Sequence, residues 1–163
     1  MMVPVQKPGR SKQNYQTPPA FLGAVRQWLG VEDFTIDLAA DKGNAVVPNH
    51  YTKAQDALQQ DWRSSGWAWL NPPFGHLEPW VRKAWEESQR GAALVMLVPA
   101  GVGANWWRDW VHGKAQVLLL NGRLTFVGES TCYPKDCCLL VYGPTVVPQY
   151  CVWSWQNATR GLQ

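Results

Sequence analysis

The sequence predicts an α/β domain with a mostly parallel sheet and an antiparallel pair of strands at one edge. Short apolar segments alternate with segments whose apolar residues recur at helical spacing, which is typical of parallel strands joined by right-handed crossovers. The stretch from 117 to 142 has strand patterns but no helical segment, and this predicts the antiparallel pair. The length of 163 residues allows one substantial core.

The composition is that of a globular protein. Hydrophobic residues make up 46% of the chain and charged residues 17%, which excludes a wholly disordered chain. The longest apolar stretches, such as residues 92–100, are shorter than the ~18 residues of a membrane-spanning helix. The first residues contain no apolar segment of the kind that a secretory signal needs, so we expect a cytoplasmic protein without a membrane anchor.

Residues 1–14 are predicted to be a flexible basic arm and residues 15–163 a single domain. The basic residues of the arm lie among prolines and a glycine, and they would suit either phosphate contacts or simple solubility. The net charge of +3 gives only modest support for an anionic partner. The four cysteines and three histidines have no metal-binding spacing, so we expect no metal site.

The first third of the chain predicts a helix followed by a strand. The helix at 18–29 has one apolar face, with Thr17 as a plausible N-cap and prolines in its first turn, and it ends at Gly30. The strand at 34–40 is apolar and runs into an acidic loop. One or two helical turns are predicted between 52 and 59.

The remaining elements alternate regularly until the last strands. A second strand, WAWL, stops at Asn71 because the prolines that follow cannot donate to a ladder. A helix from Leu77 to Gly91 then precedes the strand ALVMLV, the helix NWWRDWVHG and the strand QVLLL. A turn leads to RLTF, and the strand CCLLVY closes the pattern.

Three residues lie at or just beyond the carboxyl ends of predicted strands: Asp37, Asn71 and Pro99. Parallel sheets bind ligands at this edge. We therefore expect the functional site there.

The sharpest local signal is the Asn71-Pro72-Pro73-Phe74 turn at the end of a strand. The exocyclic amine of a nucleobase is a poor nucleophile because its lone pair is delocalised into the ring. Accepting hydrogen bonds from both N–H groups localises that pair, and the Asn71 side-chain oxygen and the Pro72 carbonyl supply two acceptors in fixed geometry. Pro73 stiffens the turn, and Phe74 can stack on an extruded base. A carboxylate oxygen is also an acceptor, so Asn71→Asp is expected to keep some activity.

This turn and the segments around it resemble the small phage-type DNA N6-adenine methyltransferases, enzymes of the Rossmann-like methyltransferase fold. The resemblance runs from about residue 15 to 142 and depends on the order of its parts: YQTPPAFL, FTIDLAAD, DALQQDW, WLNPPFG, PWVRKA, VMLVPA, NWWRD and GRLTF. It implies methyl transfer from S-adenosylmethionine to adenine N6 in DNA, in the cytoplasm of the host cell if the chain is phage-encoded.

The resemblance also implies which residues bind the cofactor. Thr17 and Pro18 are similar to the motif that meets the methionine end, and Asp37, with Ala39 in the loop after it, is similar to the acidic strand end that receives the cofactor's amino group. Asp56 is expected at the ribose and Asp61 at the adenine amine. Asn71, Pro72, Pro73 and Phe74 match the catalytic motif, and the predicted substrate contacts are Phe74, Trp106, Arg123 and Phe126.

Two features depart from the wider methyltransferase superfamily. The first loop, DLAADKGN, lacks the usual GxG, and only thirty-four positions separate Asp37 from Asn71. The sheet's second and third strands must therefore be short or missing, so the fold is shortened after the first strand.

Alternative functions remain open at this point. Cytosine N4 and a protein glutamine amide are also planar conjugated amines that the turn can polarise. A non-catalytic nucleic-acid-binding protein on a methyltransferase scaffold is a further alternative, to which the intact NPPF turn is an objection.

Overall fold

The computed structural model describes residues 15–160, without the side chains of 158–160, so the predicted arm at 1–14 lies outside the described residues. In the described part, a six-stranded mixed sheet has the order β1-β2-β3-β5-β4-β6. Its strands are β1 (Ile36–Asp37), β2 (Trp67–Leu70), β3 (Ala93–Pro99), β4 (Gln116–Leu120), β5 (Cys137–Tyr142) and β6 (Gln149–Trp153). The predicted α/β class with a mostly parallel sheet is confirmed.

Four α-helices accompany the sheet in the described residues. They are α1 (Pro19–Leu29), α2 (Glu78–Gln89), α3 (Asn105–Trp110) and α4 (Trp155–Arg160), with two single 3₁₀ turns at Lys53–Gln55 and Ala57–Gln59. The helices α2 and α3 follow β2 and β3 as crossovers, as the alternating pattern predicted. None of the helices described between 15 and 160 is long and apolar enough to cross a membrane.

The parallel half of the sheet is shortened as predicted. The strand β1 has two residues and pairs in parallel with β2, so that Asp37 lies opposite Trp69. Between these strands the structure describes only the 3₁₀ turns and the isolated bridge of Asp37 with His50. The polypeptide therefore crosses from β1 to β2 without building further strands of the sheet.

The antiparallel pair forms, but it does not make the edge of the sheet that the sequence predicts. The strand β5 runs antiparallel to both of its neighbours, β3 and β4, and thus lies inside the sheet. The additional strand β6, which the sequence pattern did not predict, pairs in parallel with β4 and forms the edge instead. Long-range pairing decides this order, and a local apolar pattern does not report it.

The central strands are covered on both faces. Along β3, Leu94, Met96 and Val98 belong to a core that includes residues of α2 and α3. The alternate residues Val95 and Leu97 belong to a second core that includes residues of α1. The continuous apolar run of β3 follows from this burial on both faces.

The start of α1 differs from the sequence-based expectation. The N-cap position is occupied by Pro18, which makes no side-chain capping bond, and the helix begins at Pro19. Thr17 precedes the cap and its side chain is buried. Its hydroxyl accepts a hydrogen bond from Asn71 instead of capping the helix. The predicted end of the helix is confirmed at Gly30.

The Gly30 cap yields a prediction about stability. Gly30 has a φ of 72°, and its N–H donates to the carbonyls of Arg26 and Gln27. A Cβ in the left-handed conformation costs roughly 1–2 kcal/mol, so we expect Gly30→Ala to lower the free energy of unfolding by about 1 kcal/mol in urea titrations. Gly103→Ala is the matched control. Neither glycine has an atom within 4 Å of its Cβ position, but Gly103 does not have the positive φ of Gly30. Equal stability of the two variants would contradict this account of the cap.

Candidate active site

A cavity of about 700 Å³ opens at the carboxyl ends of β1 and β2. Asp37 is the last residue of β1, and Asn71 directly follows β2. Parallel pairing of these strands therefore brings the carboxylate and the amide to the same edge of the sheet. The cavity is lined by six of the residues that the sequence singled out: Thr17, Asp37, Ala39, Asp56, Asn71 and Pro73.

The Asn71 side chain is oriented by the chain segment before α1. Its Nδ2 donates to the backbone carbonyl of Tyr15 at 2.7 Å and to the Thr17 hydroxyl at 3.0 Å. A carbonyl can only accept, so the nitrogen of the amide must face Tyr15. Within residues 15–160 no group donates to Oδ1. The Oδ1 atom is thus the part of Asn71 that a ligand in the cavity can use.

Aromatic packing fixes this segment over the Asn71 turn. The Tyr15 ring lies 5.8 Å from the Phe74 ring and 4.7 Å from the Phe126 ring, measured between centroids. The Tyr133 ring completes the cluster, at 5.6 Å from Phe74. The next residue is held as well, because the Gln16 carbonyl accepts the Val127 N–H at 3.0 Å.

The Asp37 carboxylate is buried in the cavity wall. It accepts hydrogen bonds from the backbone N–H groups of Ala39 at 3.2 Å and Val46 at 2.9 Å. Burial raises the pKa of Asp37 above its ordinary value, while these hydrogen bonds and the interaction with His50 act in the opposite direction. A positively charged ligand group in the cavity would relieve the cost of burying this negative charge.

Asp56 lies between the two 3₁₀ turns and lines the cavity. Its φ of 49° places a residue other than glycine in the left-handed region, and its Oδ1 accepts the Leu58 N–H at 3.3 Å. Strained backbone of this kind clusters at binding sites. The position of Asp56 on the cavity wall agrees with a binding role, which stays a prediction.

Asp61 does not line the cavity. Its exposed carboxylate pairs with the Arg63 guanidinium at 2.6 Å, and this hydrogen-bonded pair holds the pKa of Asp61 well below its usual range. The Asp61 backbone carbonyl accepts the hydroxyl proton of Tyr51, whose side chain is part of the cavity lining. Tyr51 thus lies between Asp61 and the cavity, and the predicted contact of Asp61 with an adenine amine stays a prediction.

The remaining predicted residues, Phe74 included, do not line the cavity. Pro18 caps α1, and Pro72 is buried behind the turn. Phe126 is buried in the aromatic cluster, and exposed Arg123 pairs with Asp136 at 3.1 Å. The Trp106 ring covers Gly101 so closely that a Cβ there would lie 2.6 Å from it. The substrate roles predicted for Phe126, Arg123 and Trp106 stay predictions.

The structure adds cavity residues that the sequence analysis did not select. They are Tyr15, Arg26, Asn44, Tyr51, Lys53 and Trp80, among others. Trp80 lies in the first turn of α2. Its ring stacks 6.2 Å from the buried Trp62 ring, whose indole N–H donates to the Ala57 carbonyl at 2.8 Å. The backbone N–H of Trp62 donates to the Glu87 carboxylate at 3.0 Å. Helical spacing alone does not distinguish a residue that lines the cavity from a residue of the core.

Between residues 15 and 160, no group of three or more histidine, cysteine or acidic side chains is arranged to hold a metal ion. The exposed cysteines are Cys132 and Cys151, while Cys137 and Cys138 are buried in β5. Burial raises the pKa of the Cys137 thiol to about 12. We therefore read the β5 thiols as packing groups.

Comparison with known proteins gives consistent matches. A family model described as DNA N-6-adenine-methyltransferase (Dam) matches residues 5–139. A protein of Escherichia phage T1 named DNA N-6-adenine-methyltransferase is 25% identical over 118 residues, which are 72% of this chain and 49% of that protein. A protein of the same name from Haemophilus phage HP1 (strain HP1c1) is 28% identical over 122 residues, 74% of this chain and 69% of that protein.

The chain thus spans about half the length of the phage T1 relative that it matches. Among solved structures, a predicted O-methyltransferase from Agrobacterium tumefaciens is similar with a TM-score of 0.41 and 16% identity, covering 82% of this chain and 85% of that one.

Proposed function

The chain belongs to the DNA N-6-adenine-methyltransferase (Dam) family, and from this premise we propose that it transfers a methyl group from S-adenosylmethionine to adenine N6 in DNA. The observation that carries the proposal is the orientation of Asn71. Its amide nitrogen is engaged by Tyr15 and Thr17, which leaves the side-chain oxygen as an acceptor at the cavity. An exocyclic base amine is the donor that such an acceptor fits.

A methyltransferase of this family requires a methyl donor, and the cavity fits S-adenosylmethionine. Its volume of about 700 Å³ is within the usual range of small-molecule sites. The buried Asp37 carboxylate would pair with the ammonium of the methionine end, and the Thr17 hydroxyl would reach its carboxylate. Asp56, which also lines the cavity, would accept from the ribose hydroxyls.

When bound, S-adenosylmethionine supplies an electrophilic methyl group on its sulfonium sulfur. The task of the chain is then to make the base amine nucleophilic. Asn71 Oδ1 and the Pro72 carbonyl accept its two N–H groups and so localise the lone pair on nitrogen. The rigid Pro72-Pro73 turn keeps these acceptors in place. As the nitrogen bonds to the methyl group, the bond from methyl to sulfur would break, and the methylated amine would release one proton to water, so no side chain with a pKa near neutral is required.

The target base has to leave the duplex to reach this turn. Unstacking costs a few kcal/mol, which an aromatic face in the pocket partly offsets. Phe74 directly follows the turn and is half-buried, with rings of Tyr15, Phe126 and Tyr133 around it. We assign Phe74 to the stacking of the base. Because the proposed substrate is DNA, we also propose that the protein acts in the cytoplasm.

The deciding experiment is methylation of unmethylated DNA with labelled S-adenosylmethionine, followed by nucleoside analysis. N6-methyladenine is the expected product. N4-methylcytosine would redirect the proposal to the other base, and labelled protein glutamine would remove DNA as the substrate. Absence of any labelled product from a folded protein would favour a non-catalytic binding protein.

Asn71→Ala is expected to abolish methyl transfer and to leave cofactor affinity within a few-fold of the parent. The reason is that Asn71 polarises the target amine, whereas Asp37 is the main cofactor ligand. Transfer is measured with labelled cofactor and affinity by calorimetry. Asn157→Ala, at an exposed position of α4, is the matched control. Weak cofactor binding with retained turnover would contradict the assignment.

Asp37→Ala is expected to have the opposite effect. Loss of a charge-assisted hydrogen bond worth roughly 1.5–3 kcal/mol lowers cofactor affinity by about tenfold or more. Asp109→Ala is a control for removal of an exposed carboxylate. An unchanged calorimetric affinity would exclude Asp37 from the cofactor site.

The same carboxylate predicts a pH dependence of cofactor binding. Burial raises the pKa of Asp37, so the ionised form that pairs with ammonium is lost at a higher pH than for an ordinary aspartate. Affinity is therefore full above this raised pKa and decreases as the pH falls through it. The Asp37→Asn variant lacks the titrating group, and a parent-like decrease in that variant would assign the effect to another residue.

Phe74→Tyr is expected to retain methyl transfer, because it keeps an aromatic face for the base. Phe74→Leu loses that face and with it ~1–3 kcal/mol of base stabilisation, seen as a lower transfer rate on the same DNA. Thermal unfolding of both variants checks that the surrounding aromatic cluster remains folded. A leucine variant at least as fast as the tyrosine variant would remove Phe74 from the substrate site.

A further inference from the structure

We propose that the Tyr15 backbone carbonyl and the Thr17 hydroxyl form an amide clamp that accepts an amide and rejects a carboxylate at position 71. The inference deepens the proposed function, on which it rests for the role of Asn71 Oδ1. The clamp itself is a feature of the chain without ligand and can be measured as such.

The clamp requires hydrogen-bond donors from residue 71. The Asn71 Nδ2 atom lies 2.7 Å from the Tyr15 carbonyl oxygen and 3.0 Å from Thr17 Oγ1. An amide NH₂ group has two protons, and these two acceptors use both. The remaining amide atom, Oδ1, is then presented to the cavity. Tyr15 and Thr17 therefore determine which atom of Asn71 meets the substrate.

The clamp is held rigidly. Thr17 is only 5% exposed, and the Tyr15 ring packs between Phe74 and Phe126. The residue between them is tied to the loop after β4 through the bond from Val127 to the Gln16 carbonyl. The carbonyl of Tyr15 cannot retreat without breaking this packing.

Thr17 also connects the clamp to the cavity. Its oxygen accepts the bond from Asn71, and among the described residues none accepts its hydroxyl proton. Because Thr17 lines the cavity, this proton is available to an anionic group of a ligand. A cofactor carboxylate at Thr17 would orient the hydroxyl so that its lone pair faces Asn71. Thr17 is therefore a positioning residue as well as a cofactor contact.

An ionised aspartate at position 71 could not donate the hydrogen bonds that the amide clamp accepts. An ionised carboxylate would bring a negatively charged oxygen to within hydrogen-bond distance of the Tyr15 carbonyl oxygen, which cannot donate. The Thr17 hydroxyl could turn its proton to the carboxylate, but this single bond leaves the repulsion at Tyr15 in place. The clamp therefore favours the protonated acid, whose O–H donates to Tyr15 while its carbonyl still accepts from the base amine. This replaces the simpler expectation that Asn71→Asp retains activity at neutral pH.

The first test measures single-turnover transfer by Asn71→Asp against pH, at saturating cofactor and DNA. On the basic side of its raised pKa, the rate of this variant should increase about tenfold for each unit that the pH is lowered, in proportion to the neutral acid. The parent and the control Asn157→Asp, changed at an exposed position of α4, should not show this increase. A variant rate that is independent of pH, or that increases with pH, overturns the clamp.

The second test observes the clamp without any turnover, by ¹⁵N NMR of the Asn71 side-chain amide. Its signal is identified by its absence in Asn71→Asp. We expect its protons to exchange with water more slowly than those of exposed Asn157, and Thr17→Val to accelerate exchange about five- to tenfold. Thr17→Ser should restore slow exchange, and Thr145→Val, in an exposed turn, should have no effect.

These two tests separate the possible failures. Fast exchange of the Asn71 amide in the parent overturns the clamp, whether or not the protein methylates DNA. Slow exchange that depends on the Thr17 hydroxyl supports the clamp even where no methylated nucleoside is found, and in that case only the proposed function fails. If Thr17→Val does not fold, the parent and Thr17→Ser spectra still decide the matter.

Discussion

Parallel pairing of β1 with β2 is the constraint on which the site depends, because it brings Asp37 and Asn71 to one edge of the sheet. The two residues have different tasks, one as a buried negative charge and the other as a neutral acceptor. Their separation follows from the lateral spacing of the strands, ~4.8 Å, and from where each strand ends. Pro72 and Pro73 end β2 at the required point because they lack the N–H groups that a longer ladder would need.

The sheet places Asn71 at the cavity, and the segment before α1 orients its side chain. Its backbone carbonyl at Tyr15 and its hydroxyl at Thr17 turn the Asn71 amide, while the ring of Tyr15 closes the aromatic cluster around Phe74. One short stretch of chain thus contributes to the orientation of Asn71, to the packing of Phe74, which is proposed to stack on the base, and to the wall of the proposed cofactor cavity. Residues more than fifty positions apart in sequence act as one unit at this point.

The sequence predicted the elements better than their arrangement. The apolar runs of β3 and β5 and the C-terminal end of α1 at Gly30 are local signals, and the structure agrees with them. The interior position of β5 and the edge strand β6 depend on pairing between distant segments, which no local pattern reports. In the site, Asp37 and Asn71 were identifiable by residue type at strand ends. The Tyr15 carbonyl was not, because a backbone group has no residue type.

The buried Asp37 carboxylate makes the stability of the folded protein depend on the concentration of a cationic ligand. Burial raises its pKa, so above that raised pKa the folded chain keeps an ionised group in a poorly solvated place, which disfavours folding relative to the unfolded chain. A cationic ligand removes this disadvantage and adds its own binding energy to the folded form. If the cavity binds a methyl donor as proposed, more of the protein would unfold and become open to proteases when that donor is scarce, so its lifetime would follow the donor supply.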